Sequence, residues 1–165
     1  MTQRGAITPA PCNCLALRQA MRHVTQFYDE YMAPSGLRTT QYSILTKLKG
    51  LGSMTINALA RELVMDRTTL GRTMLPLERD GLIRIEDGVA DRRRKQLTLT
   101  QAGASRLQLA NRLWTEAQAE FERAFGADRA SHLRILLGDV AACPLAAGAD
   151  AASPQRKNRK GVIRA

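Results

Sequence analysis

With 165 residues the chain suits one domain, or a compact core extended by a dimerisation element. Aromatic residues make up only 4% and hydrophobic residues 44%, drawn largely from Leu and Ala, which favours helices packed on helices; three cysteines are too few for a disulfide scaffold, and no stretch approaches the roughly 20 apolar residues of a membrane span. The net charge of +10 suits a polyanionic partner, although charge alone does not separate DNA from RNA or anionic lipid.

Residues 1–12 contain Pro9 and Pro11 and read as a mobile arm, without the basic-then-apolar layout of a signal peptide. A cytoplasmic protein with no membrane partner is expected. From Leu17, the side chains Leu17, Met21, Val24, Tyr28 and Tyr31 recur at steps of three and four, predicting a long amphipathic helix that Pro34-Ser35-Gly36 stops. A second helix starts near Thr39, a candidate N-cap, and runs through Tyr42, Leu45, Leu48 and Leu51 to Gly52. Thr55 caps a short third helix with Ile56, Leu59, Ala60 and Leu63 inward.

Asp66 is a natural N-cap for a fourth helix with the inner stripe Leu70, Met74 and Leu77 and a stop at Gly81. Helical spacing puts Thr68, Thr69 and Arg72 on the opposite side. Pro76 removes a hydrogen bond to the carbonyl of Arg72 and predicts a bend. Two strands follow, Leu82 to Glu86 and Gln96 to Leu99, with Ile83, Ile85, Leu97 and Leu99 on the inner positions and Gly88 in the turn. Thr100 caps a fifth helix patterned by Leu107, Ala110, Trp114, Ala117, Phe121 and Phe125, a longer apolar stripe than one small domain needs. Gly126 breaks it, and Asp128 to Ala142 form a sixth helix with Leu133, Leu136, Leu137 and Val140. Beyond Pro144 the chain is Ala- and Gly-rich and then basic, residues 153–165 carrying Arg156, Lys157, Arg159, Lys160 and Arg164 with no acid, and residues 143–165 read as a disordered basic tail.

The fold class is therefore mainly α with a small β-hairpin: a winged helix-turn-helix plus a helical dimerisation region. A helix that can enter a major groove, beside a basic hairpin that can reach the neighbouring minor groove, reads double-stranded DNA. The candidate contacts are Arg67, Thr68, Thr69, Arg72 and Thr73 on the helix and Asp91, Arg92, Arg93, Arg94 and Lys95 in the hairpin loop. Two successive threonines, poor helix formers, on an exposed first turn between Arg67 and Arg72 favour base and phosphate contact over an ordinary solvated face. The run Arg92 to Lys95 alone would read as a solvated charge cluster; its place between two strands gives it the functional reading.

The order of elements resembles the MarR family of bacterial transcriptional regulators. The wing sequence Asp91-Arg92-Arg93-Arg94-Lys95-Gln96-Leu97-Thr98-Leu99-Thr100-Gln101-Ala102-Gly103 follows the family's pattern of Asp, any residue, Arg, then Leu-Thr-x-x-Gly. Leu59-Ala60-Arg61-Glu62-Leu63 and Leu77-Glu78-Arg79-Asp80-Gly81-Leu82-Ile83 are similar to its third helix and recognition-helix exit. The resemblance covers about residues 13–142. It implies an obligate homodimer in which the first, fifth and sixth helices interlock, with a DNA-binding part about 38–100 and a dimerisation part about 13–34 and 101–142. The two winged domains would then face successive major grooves of a palindromic operator. Position by position, Arg93 takes the place of the wing arginine in the minor groove and Asp91 that of the acid bracing it, where a narrow groove concentrates negative potential. The resemblance also implies repression relieved by a small phenolic or aromatic acid, or by oxidation of a cysteine.

Arg18, Arg22, His23, Arg38, Tyr42 and Trp114 are candidates for an effector pocket, arginine suiting a carboxylate and the rings stacking; core or dimer-interface roles compete for the same residues. Cys12, Cys14 and Cys143 are candidate redox thiols, with inert free thiols as the alternative and a soft-metal site the weaker one, since no His or acid completes a familiar spacing. No metal or cofactor is expected. The chain lacks HExxH, a P-loop, GxGxxG and GxSxG, so an enzyme is not expected. The competing class is a non-specific architectural or RNA-binding winged-helix protein dominated by its charge.

Overall fold

The computed structural model describes residues 12–87 and 95–145. In chain order the elements are α1 (Asn13–Met32), a 3-10 turn (Ala33–Ser35), α2 (Thr39–Leu51), β1 (Met54–Thr55), α3 (Ile56–Glu62), α4 (Arg67–Arg79), β2 (Ile83–Asp87), β3 (Lys95–Leu99), α5 (Gln101–Phe125) and α6 (Ala127–Ala142). The chain divides into two compact units, one ending at Ala124 and the other beginning at Phe125. The expected arm, the tip of the wing and most of the basic tail lie outside the described residues. Among the described residues, no helix is long and apolar enough to cross a membrane.

In the first unit, α1 stops where Pro34 and Gly36 predict. The buried Ser35 hydroxyl donates to the Met32 carbonyl at 2.7 Å and accepts from the Leu37 N–H at 3.2 Å, which turns the chain toward α2. Thr39 does not cap α2 as expected. Arg38 occupies the N-cap, its N–H donating to Gln41 Oε1 at 2.9 Å. Thr39 instead ties α2 to α1: its N–H and its hydroxyl both donate to Asp29 Oδ1, at 2.7 and 2.6 Å. A residue ten positions away in the chain has captured the hydroxyl, which the local sequence does not show.

Thr55, Asp66 and Thr100 cap as expected. The Thr55 hydroxyl accepts from the Ala58 N–H, Asp66 Oδ1 from the Thr69 N–H, and the Thr100 hydroxyl from the Gly103 N–H. The α4 stripe Leu70, Met74 and Leu77 is buried, with Ile44, Leu45 and Leu48 of α2, Leu59 of α3, Leu97 of β3 and Leu107 of α5 in the same core. Burial of each large side chain contributes about 1.5–3 kcal/mol, so this stripe fixes which face of α4 looks outward. The helix runs through Pro76 to Arg79 without a break.

The sheet has three strands in the order β1-β3-β2, not the two of a simple hairpin. Ile83 pairs with Leu99 and Ile85 with Leu97, as alternation predicts, while Met54 pairs with Leu97 on the other edge of β3. A two-residue strand has no period to detect, and Thr55 read locally only as a cap.

At the start of α5 the Thr100 hydroxyl reaches the carbonyls of Gly81 and Leu82, at 2.7 and 3.1 Å, while accepting from Gly103. Thr100→Val keeps the shape and removes the cap. We expect a loss of about 1 kcal/mol in urea unfolding with the helical circular-dichroism signal retained; an unchanged midpoint would show the cap to be idle.

In the second unit α6 begins one residue earlier than Asp128, at Ala127, after Gly126 with φ of 96°. The Arg129 guanidinium lies 4.3 Å from the centre of the Phe125 ring. Ile135, Leu136, Leu137 and Val140 are exposed in the single chain.

Candidate nucleic-acid interface

The Asp66 cap sets the beginning of α4, and the buried stripe rolls Arg67, Thr68, Thr69 and Arg72 to the exposed side. Hydrogen bonding from Thr69, first its side chain and then its backbone N–H, holds the Asp66 carboxyl below the usual carboxylate range. A lowered folded-state pKa means that the cap contributes at neutral pH and fades as pH falls through that lowered value. Neither Arg67 nor Arg72 has an ion-pair partner among the described residues, so both cations are available to an incoming anion. Thr73 is different: it is half-buried and its hydroxyl donates to the Thr69 carbonyl at 2.9 Å, a local bond that competes with any outside partner.

Of the expected wing residues, Asp91, Arg92, Arg93 and Arg94 lie outside the described residues. Lys95 opens β3 directly opposite Asp87, and its Nζ donates to Asp87 Oδ1 across the base of the hairpin. It closes the root of the wing. The β2–β3 register therefore defines where the loop leaves the sheet and where it returns.

The six effector candidates do not converge. Arg22 and Arg38 line one open groove of about 550 Å³ with Met21, Thr25, Asp29 and Glu30. Arg38 is paired with Asp29 at 3.5 Å, whereas Arg22 has no ion-pair partner among the described residues. Arg18 and His23 are exposed on α1. Tyr42 and Trp114 stack on each other with centroids 6.1 Å apart at the edge of the core, where burial pushes the Tyr42 hydroxyl up from its ordinary pKa while a hydrogen bond with Thr46 opposes it. Cys12, Cys14 and Cys143 are free and exposed.

Two residues absent from the sequence reading tie elements of the first unit together. Asp29 joins α1 to α2 through Thr39, and Arg106 of α5 donates to the Ser35 carbonyl at 3.0 Å. Both contacts span distances in the chain over which no local pattern operates.

The described geometry is a capped, outward-facing helix beside a hairpin. The MarR family model matches residues 37–95, which contain the helix and the hairpin as far as the first residue of β3. The transcriptional regulator MosR of M. tuberculosis, solved in complex with DNA, is 36% identical and superposes with a TM-score of 0.69 over 82% of this chain and 100% of that one.

The chain belongs to the MarR family.

Members of this family are transcriptional regulators, not enzymes. A mutant of E. coli MarR, solved with operator DNA, has the same fold at a TM-score of 0.69 over 77% of this chain and 91% of that one, although only 21% of residues are identical. The uncharacterized HTH-type transcriptional regulator YwoH of Bacillus subtilis is 31% identical over 85 residues, 52% of this chain. The match spans 61% of YwoH's own length. As a MarR-family protein, this chain has the winged helix-turn-helix that its sequence implies, with one further short strand.

Proposed function

We propose that the protein is a homodimeric regulator that reads a palindromic double-stranded operator, with α4 in the major groove and the β2–β3 wing in the adjacent minor groove. The observation that carries this reading is the sidedness of α4: one face is fully committed to the core, and the other presents Arg67, Thr68, Thr69 and Arg72 to solvent. Small hydroxyls can approach base edges closely, and the guanidiniums suit guanine edges or phosphate. Arg93, braced by Asp91, is the proposed minor-groove contact.

Support for a second copy comes from apolar side chains that each unit leaves uncovered: Leu15, Leu17 and Met21 on α1, and Ile135, Leu136, Leu137 and Val140 on α6. Apolar side chains left exposed in this way on each unit suit association with a second copy. The DNA-binding part is then about 38–100 and the dimerisation part about 13–34 and 101–142.

We read the protein as a repressor released by a small aromatic or phenolic acid. Arg22 in the open groove offers a cation for a carboxylate, and such a ligand acts by binding more tightly to the arrangement of recognition helices that does not fit DNA. Oxidation of Cys12, Cys14 or Cys143 is the second route, favoured by the exposure of all three thiols.

A genomic footprint followed by titration of the footprinted duplex against a random one tests the function. At physiological salt we expect an affinity ratio of about 10³ or more in favour of the footprinted site. A ratio near one would replace this reading with that of a non-specific architectural or RNA-binding protein.

A further inference from the structure

Helices α3 and α4 close with the same backbone motif but with different residues at its left-handed position. After α4, the Leu82 N–H donates to the Leu77 carbonyl at 2.8 Å and the Gly81 N–H to the Glu78 carbonyl at 2.9 Å, with Gly81 at φ 68°. After α3, the Met65 N–H donates to the Ala60 carbonyl at 2.9 Å and the Val64 N–H to the Arg61 carbonyl at 3.2 Å, with Val64 at φ 50°. This pair of bonds is the Schellman closure, whose left-handed residue is usually glycine because a Cβ there crowds the backbone. A β-branched residue fits worst of all. Among the described residues, Val64 is the only non-glycine residue with positive φ.

The side chain does nothing for the fold that would offset this strain. Val64 is 81% exposed, whereas its neighbours Leu63 and Met65 pack on the core. An apolar side chain is thus held facing water, in a conformation that glycine would adopt more cheaply, two residues before the Asp66 cap of α4. Persistent strain of this kind clusters where a binding surface needs the residue. Val64 stands three residues before the exposed Arg67 and four before Thr68, and the apolar group that a major groove displays is the thymine 5-methyl.

We propose that Val64 is a specificity contact that packs its methyl groups against the 5-methyl of an operator thymine at the edge of the segment read by α4. This rests on the reading of α4 as the major-groove helix.

The test uses the full-length protein, Val64→Gly and Val64→Asn, the footprinted operator, and operators in which each thymine is replaced singly by uracil, which lacks only the methyl. Asparagine tolerates the left-handed conformation and keeps the turn stiffer than glycine does. Wild type should lose roughly fourfold in affinity at one uracil position, the worth of one buried methyl. Both variants should bind the thymine operator roughly fourfold more weakly and ignore that uracil. Val64→Gly should also melt about 2–4 °C higher. Variants that bind the thymine operator like wild type, or that lose affinity while still sensing the uracil, overturn the contact. A wild-type protein with no preference for operator over random duplex would overturn the DNA reading itself, an outcome separate from failure of the Val64 contact alone.

Discussion

Gly103→Ala is expected to destabilise the protein by about 3 kcal/mol or more, against the direction that helix propensity predicts. Gly103 lies in the first turn of α5, where alanine would ordinarily gain about 1 kcal/mol over glycine. Packing decides otherwise. A Cβ at this position would sit 2.0 Å from the Leu82 carbonyl oxygen and 2.8 Å from Leu99 Cδ1. The first contact is with backbone, which no rotamer change relieves. To admit the methyl, α5 must retreat from the start of β2, and the Thr100 bonds to Gly81 and Leu82 stretch with it. Urea unfolding measures the cost. Gly71, also helical, has open space around its would-be Cβ and serves as the control: Gly71→Ala should stabilise slightly, by up to about 1 kcal/mol. If Gly103→Ala proved as stable as wild type, α5 would not approach the sheet this closely in solution.

Arg72→Ala should reduce affinity for the operator by about 5- to 150-fold, the roughly 1–3 kcal/mol of one lost base-reading guanidinium, with a much smaller loss on random duplex. The melting temperature should stay where it is, since Arg72 is exposed and has no ion-pair partner among the described residues. Thr69→Ala should act in the same sense but less strongly. Arg93→Ala should also weaken operator binding while leaving fold and dimer intact. Titration of both duplexes at two salt concentrations separates the cases, because a phosphate contact lowers the salt slope by about one and weakens all sequences alike. Equal losses on operator and random DNA would reassign Arg72 to the backbone.

Much of this fold was legible because its signals are local. Asp66, Thr55 and Thr100 cap helices through bonds three residues long, and the stripe Leu70, Met74 and Leu77 orients α4 by helical period alone. The exposed face of the candidate DNA-reading helix follows directly from that stripe, and so does the β2–β3 pairing from alternation. The family too was legible, since the wing motif and the recognition-helix exit are contiguous in the chain.

What the tertiary structure alone decided depends on groups far apart in sequence. Strand β1 exists because Met54 and Thr55 meet the free edge of β3, some forty residues on. Thr39 leaves its capping role because Asp29 outcompetes the local bond, and Gly103 matters because Leu82 lies against it. Tyr42 and Trp114, far apart in the chain, are brought together by folding as a stacked pair at the edge of the core. The sign of φ at Val64 belongs here as well. Nothing in the run Leu63-Val64-Met65 signals a left-handed residue, and the strain appears once α3 closes on the carbonyls of Ala60 and Arg61. Caps, periods and alternation act over three or four residues and can be read along the chain. Close approach, strain and competition for a hydrogen-bond partner are properties of atoms that only folding brings together.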